Sequence, residues 1–448
     1  MLENIWSALG GPQALLSRLR EEGIGSLPSH YAVTDFATAS IASAGLALAE
    51  FSILRGHPVE SVAVDRRLSS FWFAKSIRPL DWSLPPQWDP IAGNYRTRDG
   101  WIRLHTNAAR HRQACLQVLR CNPAPEHVAR AVKDWSAQEL QESIIDAGGV
   151  AAEMLVFDAW QAHPQGRAVA EEALCLWQVH KGAQLREFGT NLRPLQGLRI
   201  LDLTRILAGP VATRFLAAYG AHVLRIDPPD WDEPAVLPEV TVGKYRARLD
   251  LRAKEDRKIF ANLLSSADVL VHGYRSDALD RLGFGTSERA SLNPNLIDIA
   301  LNAFGWSGPW SRRRGFDTVV QMSTGLAEAE MRFSGAERPQ QLPVQALDYG
   351  TGHMMAAAVL RGLSEALQGQ IITSRFSLAR TAWFLQGFHN ADAPELAPGS
   401  DSDLQDNIEK TVWGDARRLK PPLQVGSIPF SFDRAAGWLG SDAPSFVL

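Results

Sequence analysis

An aspartate at the start of a small-residue helix is the strongest candidate for chemistry in this chain. Asp348 follows an apolar run, residues 342–347, and precedes Gly350 and Gly352. A carboxylate in this position either caps the helix or acts as a nucleophile on an activated acyl group, and spacing alone leaves both interpretations open. The glycines favour the second, because open backbone beside the carboxylate can supply N–H donors to an oxyanion.

Two basic segments are candidates for binding phosphate. Arg312, Arg313 and Arg314 directly precede a predicted helix, and Lys244 follows Gly243 at the end of a polar turn. Guanidinium groups suit phosphate oxygens geometrically. Both segments are equally compatible with charges that simply face solvent.

Missing motifs narrow the chemistry. The sequence has no G-x-G-x-x-G after the first strand of its alternating region, no P-loop and no G-x-S-x-G elbow. Binding of NAD and serine-hydrolase chemistry are therefore disfavoured. It also has no H-E-x-x-H motif and no paired Cys/His set, so we expect no metal site.

The composition predicts a cytoplasmic protein. The 448 residues carry a net charge of −3 without a long basic run, which makes nucleic acid an unexpected partner. Three cysteines without metal-ligand spacing suit a reducing compartment. We expect no signal peptide and no membrane partner, since the longest apolar region, residues 36–51, is short for a membrane span.

The elements that would position Asp348 alternate between strand and helix from residue 195 onward. Pro194 to Pro210 predicts a strand, a polar turn and a helix that opens with small residues, an arrangement that lets phosphates approach backbone N–H groups. The continuing alternation predicts an α/β fold with a Rossmann-like parallel sheet. The predicted organisation is a partial large-domain-like helix–strand element at 1–80, a small α+β domain at 81–182, a linker at 183–194, a large domain at 195–390 and a wrapping tail at 391–448.

A second aspartate occupies a similar setting near the N-terminus. Asp35 opens a small-residue helix, as Asp348 does, and Gly56 and Gly369 each follow their aspartate by 21 residues. Each unit is predicted to continue into a strand that ends in Trp-Phe. The matched spacing indicates an internal repeat, with Asp35 as an alternative catalytic residue.

Residues 194–386 resemble the large domain of family III CoA-transferases, a group that includes formyl-CoA transferase, carnitine CoA-transferase and α-methylacyl-CoA racemase. The motifs that carry the resemblance are Pro-Leu-Gln-Gly-Leu-Arg-Ile-Leu-Asp-Leu-Thr-Arg-Ile-Leu-Ala-Gly-Pro (194–210), Tyr-Gly-Ala-His-Val-Leu-Arg-Ile-Asp (219–227), Ala-Asp-Val-Leu-Val-His-Gly-Tyr-Arg (267–275) and Arg-Gly-Phe-Asp-Thr-Val-Val-Gln-Met-Ser-Thr-Gly-Leu (314–326). Residues 88–170 look like the small domain of the family. Because that segment comes first here, the chain resembles a rearranged or fused-chain member.

The resemblance implies a CoA-transferase of the EC 2.8.3 type that moves CoA between carboxylic acids through an aspartyl-CoA thioester. It places the catalytic carboxylate on Asp348 and the CoA site on Ile206, Leu207, Ala208, Lys244, Gly273, Tyr274, Arg281 and Arg314. It also implies acyl-CoA and carboxylic acid substrates, no tightly bound cofactor, and a homodimer. An acyl-CoA racemase or isomerase and a non-catalytic CoA-binding protein are the alternatives. The racemase is disfavoured because Phe316 stands where that branch has a histidine.

Overall fold

The computed structural model describes residues 1–183, 186–275, 277–391 and 393–446. In these ranges the helices are α1 Leu2–Ala8, α2 Val33–Leu54, α3 Arg66–Trp72, α4 Ala109–Leu119, α5 Pro125–Val132, α6 Ala137–Asp146, α7 Phe157–Ala162, α8 Pro164–Glu171, α9 Ala208–Ala218, α10 Leu237–Val240, α11 Lys254–Ser266, α12 Ala278–Arg281, α13 Thr286–Leu292, α14 Asp317–Ser323, α15 Leu326–Ser334, α16 Ala346–Ala366 and α17 Leu378–Leu385. The strands are β1 Leu19–Glu22, β2 Val62–Asp65, β3 Ile77–Pro79, β4 Gly93–Arg96, β5 Trp101–Leu104, β6 Ala151–Glu153, β7 Leu176–Lys181, β8 Arg199–Leu203, β9 His222–Asp227, β10 Lys244–Arg248, β11 Val269–His272, β12 Ile297–Asn302, β13 Gln370–Ser377, β14 Glu409–Thr411, β15 Gly414–Arg418 and β16 Leu423–Val425.

The main sheet is the predicted Rossmann-like sheet. Among the described residues its strand order is β10-β9-β8-β11-β12-β13-β7, and every neighbouring pair is parallel except β13 with β7. Counted from β8, the parallel strands have the order 3-2-1-4-5-6 of dinucleotide-binding folds, in which ligands bind where the strand order reverses. Here that point lies between the carboxyl ends of β8 and β11.

Helices α2 and α16 pack against each other in the core that lies on one side of this sheet. Their side chains share one continuous apolar cluster with those of β8, β9 and α9. The approach is close at Gly350, where a Cβ atom would lie 2.1 Å from the Phe36 ring. The predicted 1–80 element and the predicted large domain therefore share a core.

The two strands predicted to end in Trp-Phe end earlier than predicted, because their tryptophans lie in helices. Trp72 belongs to α3 and Trp383 belongs to α17. In both units the strand ends at a capping residue that starts a helix at once: Asp65 accepts a hydrogen bond from the Leu68 amide, and Ser377 accepts one from the Arg380 amide. The two units therefore agree as helix–strand–helix, not as helix–strand.

The remaining strands form three small sheets in the described part of the chain. The orders are β4-β5-β6, in which β4 and β5 form a hairpin, β1-β2-β16 and β14-β15-β3. The last two pair the N-terminal element with the predicted tail. Strand β7 pairs with β13 although it lies within the predicted small domain, and the predicted linker falls partly outside the described residues.

Helix α2 is long and apolar enough to cross a membrane by length and composition alone. Nearly all its side chains lie inside the protein core, where they pack against α16, α3 and β16. An all-round apolar helix is typical of a core position, and this one occupies such a position.

Candidate active site

The turn after β8 holds its backbone in a strained conformation at the point where the strand order reverses. Ile206 has a φ of +64°, which is unusual for a β-branched residue. Its N–H donates to the Glu233 carboxylate at 2.9 Å, and this bond helps to hold the turn. Such strain concentrates at ligand-binding sites. Among the described residues no side chain caps helix α9, which begins directly after Leu207, and Ile206, Leu207 and Ala208 lie together at the switch point.

Helix α16 brings Asp348 to the same place. The helix packs tightly on the start of α9, since a Cβ atom on Gly352 would lie 2.4 Å from the Ala208 carbonyl oxygen. Asp348 is the third residue of α16 and does not cap it, so the capping interpretation is wrong. The glycines serve helix packing, not open donors as expected. Among the described residues the Asp348 carboxylate accepts no hydrogen bond.

Asp317 supplies the missing cap from a neighbouring helix. Its carboxylate accepts the Asp348 backbone N–H at 2.9 Å and a bond from the Gln321 side-chain amide. Burial raises the pKa of Asp317 to about 6. Burial and the adjacent Asp317 charge raise the pKa of Asp348 well above the usual aspartate range.

A cleft of about 1030 Å³, open to solvent, leads to Asp348. One wall comes from the segment 86–108, and the other comes from the β8 turn and residues 231–236. Thr318 lies at its base, 2% exposed, and the hydroxyl has no hydrogen-bond partner among the described residues. The hydroxyl oxygen itself is buried, so it would meet a ligand in the cleft only after the side chain turns toward it.

Four arginines, Arg110, Arg205, Arg275 and Arg314, form a positive cluster beside the cleft. Burial lowers the pKa of Arg110 and Arg314, and charge repulsion within the cluster lowers both further. The Arg205 guanidinium lies 4.7 Å from the centre of the Trp231 ring, which lines the cleft. None of the four pairs with a carboxylate within 4.0 Å in the ranges that the structure covers. Unneutralised arginines at a cleft mouth form an anion site.

The cluster only partly matches the predicted phosphate site. Arg314 belongs to it, and Tyr274 joins it by accepting a hydrogen bond from Arg205 at 3.3 Å. Gly273 lies exposed at the end of β11, next to Tyr274. Arg110, Arg205 and Arg275 were missed; Arg205 and Arg275 adjoin predicted residues, whereas only the fold brings in Arg110.

Lys244 and Arg281 are not part of this site. The Lys244 ammonium is fully buried and donates to Asp202 at 2.9 Å and to Thr213 at 2.7 Å, so the predictions that it binds phosphate or faces solvent are both wrong. Arg281 lies on α12 with its side chain 68% exposed, in an ion pair with Asp277. Of the other predicted arginines, Arg312 is exposed and Arg313 lies over the Trp310 ring at 4.0 Å.

Asp35 does not lie in a cleft of this kind. Its carboxylate forms an ion pair with Arg66 at 2.5 Å, and its side chain is 41% exposed. Elsewhere in the described residues, no group of three or more His, Cys, Asp or Glu side chains is arranged to hold a metal ion.

The candidate site thus combines a strained turn at the switch point of an α/β sheet, an arginine cluster and a buried carboxylate. Residues 195–412 match the family model described as CoA-transferase family III.

The curated relatives match the chain over part of their length. Acetyl-coenzyme A transferase nodX of Hypoxylon pulicicidum is 37% identical over 42% of this chain and 32% of its own. Probable fatty acyl-CoA transferase Rv3272 of Mycobacterium tuberculosis is 32% identical over 38% of this chain and 46% of its own. A crystal structure of Rv3272 aligns with a TM-score of 0.41 and 32% identity over 44% of this chain and 56% of that one. The chain thus spans a third to about half of these relatives.

Proposed function

We propose that the chain is a CoA-transferase that moves CoA between carboxylic acids, with Asp348 as the nucleophile. The observation that carries the proposal is the position of Asp348: a buried carboxylate that accepts no hydrogen bond from the described residues, at the base of a cleft that opens beside the β8 turn and an arginine cluster. Carboxylates that attack activated acyl groups need such access. The family match and the relatives' names support the same activity.

In the proposed reaction the Asp348 carboxylate forms two covalent intermediates, first a mixed anhydride and then a CoA thioester. The ionised Asp348 oxygen attacks the thioester carbonyl carbon of acyl-CoA, the C–S bond breaks, and CoA leaves as a thiolate while a mixed anhydride forms. The thiolate then attacks the aspartyl carbonyl carbon, which releases the donor acid and leaves an aspartyl-CoA thioester. An acceptor carboxylate repeats the sequence in reverse and leaves with CoA. Each step conserves charge, and no redox change occurs.

Three groups support these steps. The arginine cluster and the strained turn would hold the phosphates of CoA, since backbone N–H groups at a helix start and guanidinium groups both bind phosphate. The Thr318 hydroxyl would donate to the tetrahedral oxyanion, where its hydrogen bond counts most. Asp317 would position Asp348 through the bond to its backbone N–H.

Mass spectrometry of the intact protein tests the proposal. Incubation with a panel of acyl-CoAs should add CoA covalently to Asp348, seen after peptide mapping. Asp348→Asn should abolish the adduct while CoA binding by calorimetry persists, and Asp35→Asn should leave it unchanged. An adduct on Asp35 alone, or transfer that survives in the Asp348 variant, would contradict the proposal.

The two alternatives have their own signatures. A racemase would exchange deuterium at the α-carbon without an acceptor acid. His105 lines the cleft next to Phe316, but burial lowers its pKa to about 3, which makes it a weak base for that reaction. A non-catalytic protein would bind CoA and exchange no labelled acid into any thioester.

A further inference from the structure

The walls of the cleft are apolar and aromatic above the catalytic carboxylate. The nonpolar residues that line it include Pro86, Trp88, Leu207, Trp231, Val236 and Phe316. Pockets lined in this way select ligands by apolar contact and by shape. The composition of the wall therefore bears on which acyl group fits next to Asp348.

The carboxylates in the wall are already paired with groups of the protein. Asp89 accepts from the Thr106 hydroxyl at 2.8 Å and lies 3.6 Å from Arg112. Glu233 accepts from Arg225 at 2.6 Å and from the Trp231 indole at 2.9 Å. Asp232 is exposed to solvent. These groups leave no free buried charge for a ligand to neutralise.

Cations are absent from the wall in the part of the chain that the structure describes. No lysine or arginine lines the cleft. The His105 imidazole, stacked on Phe316 at 3.9 Å, is neutral at physiological pH because burial lowers its pKa to about 3. The buried Arg103 guanidinium lies 4.8 Å from the centre of the Trp88 ring and donates to Asn94. The arginine cluster lies beside the cleft and is assigned above to the phosphates of CoA, so no cation of the described lining itself would pair with a second carboxylate on a substrate.

We infer that the acyl substrates of this site are bulky, uncharged monocarboxylic acids, of the medium-chain aliphatic or aryl type. The inference rests on the proposed function. A dicarboxylic acid would bury its distal carboxylate against Trp88, Val236 and Phe316 without a cation, and an unpaired buried charge is strongly unfavourable. A cationic acid would find both indole rings already covered by Arg103 and Arg205.

Competition between acids tests the inference. The full-length protein, loaded with acetyl-CoA, is offered octanoate, phenylacetate, glutarate, succinate or a trimethylammonium acid, and each thioester is quantified by mass spectrometry. Octanoate or phenylacetate should exceed glutarate and succinate at least tenfold in kcat/KM. A preference for a dicarboxylate or for the trimethylammonium acid would overturn the substrate class while leaving the proposed transfer intact.

A binding measurement separates this inference from failure of the chemistry. Asp348→Asn should bind octanoyl-CoA at least tenfold more tightly than succinyl-CoA in calorimetry. Equal or tighter binding of succinyl-CoA would overturn the inference even if no acid is ever transferred. Loss of transfer in the wild type with the expected binding order would instead overturn the proposed function alone.

A charge placed in the wall gives a second test. Ala235→Arg puts a guanidinium in the cleft and should shift the ratio of glutarate to octanoate in favour of glutarate by tenfold or more. Ala235→Leu, which adds bulk without charge, is the matched control and should not favour glutarate. The same shift in both variants would mean that shape, and not charge, sets the preference.

Discussion

Helices α2 and α16 begin with the same local structure, but the aspartates at their starts lie in different chemical surroundings. The third residue of each helix is an aspartate, Asp35 in α2 and Asp348 in α16. The residues that directly precede the two helices have nearly equal backbone dihedrals, φ −73° and ψ 60° before α2 and φ −77° and ψ 61° before α16. Their lengths are 22 and 21 residues. A strand and a helix follow each, β2 and α3 or β13 and α17.

The surroundings of the two aspartates differ in charge and in burial. Asp35 has a cation, Arg66, at 2.5 Å and a side chain that is 41% exposed. Asp348 has an anion, Asp317, as its neighbour and is 6% exposed at the base of a cleft. A paired, solvated carboxylate is a poor nucleophile for a buried thioester, whereas an unpaired one facing a cleft is poised to react. Position on the helix is shared, so the neighbours decide the function.

Removing each carboxylate in turn gives the largest predicted contrast. Asp348→Asn should lower kcat/KM for CoA transfer by about 10⁴-fold, because the covalent route disappears. Asp35→Asn should change it by less than about threefold, because its loss affects only a partly exposed ion pair. Steady-state kinetics with matched protein folding, checked by circular dichroism, measures both. Equal losses would contradict the assignment of distinct roles.

The second-largest predicted effect on activity comes from the hydroxyl of Thr318, which lines the same cleft as Asp348. Thr318→Val keeps the shape and removes the donor, so kcat should fall about 10- to 100-fold with KM nearly unchanged if the hydroxyl serves the transition state. Thr318→Ser restores the donor and should recover most of the rate. A rise in KM alone would show that Thr318 binds substrate without stabilising the oxyanion.

The arginine cluster belongs to the α16 side of the comparison. Arg275→Ala or Arg314→Ala should each weaken CoA binding about tenfold, because each removes one charge from a phosphate site. Arg281→Ala, which removes an exposed and already paired guanidinium, is the control and should have less than about a threefold effect. Calorimetry with CoA at fixed salt distinguishes the two. A large effect at Arg281 would restore the predicted site.

The neighbouring anion should set the pH at which transfer begins. Attack needs ionised Asp348, whose pKa is raised by burial and by Asp317, so the acid limb of the kcat/KM profile lies above the range of an ordinary aspartate. Asp317→Asn removes the negative charge and keeps an oxygen to accept the Asp348 N–H. The limb should therefore move to lower pH. Asp35→Asn should not move it, and an unmoved limb in Asp317→Asn would contradict the electrostatic link.

The sequence predicted the sheet where its strands are apolar and missed it where they are charged. Strands β8, β9, β11 and β12 each contain at least three aliphatic residues, as parallel strands buried on both faces do, although buried charges such as Arg225 and Asp298 stand among them. Strand β10 was missed because Lys244 and Arg246 interrupt its pattern. Both are buried, and they find partners in Asp202 and Asp442, far away in the sequence. Charge pairing at such distances leaves no local signal.

The sequence predicted those parts of the candidate site that a short continuous motif marks. The β8 turn and Asp348 are marked by motifs, and the structure brings them together. Asp317 and Trp88 come from other parts of the chain, and only the fold places them in the cleft with Asp348, just as it brings Arg110 to the arginine cluster. The domain scheme, the rearranged order, the homodimer and the cytoplasmic location stay predictions.

The smallest predicted contrast between the two helices is in stability, where the two substitutions should change the free energy of unfolding in opposite directions. The pKa of Asp348 is raised in the folded protein, so the carboxyl group stabilises the fold below about pH 4, where it is protonated in both states, and this stability is lost as the pH rises through the folded pKa. Asp348→Asn stays neutral at every pH. It should therefore increase the free energy of unfolding by about 1–3 kcal/mol at pH 8 and by much less at pH 4.

Asp35→Asn loses its ion pair with Arg66 and should lower that free energy by up to about 1 kcal/mol at pH 8. Urea unfolding of both variants at the two pH values measures this. A destabilised Asp348→Asn at pH 8 would mean that the buried carboxylate has a partner that stabilises its charge.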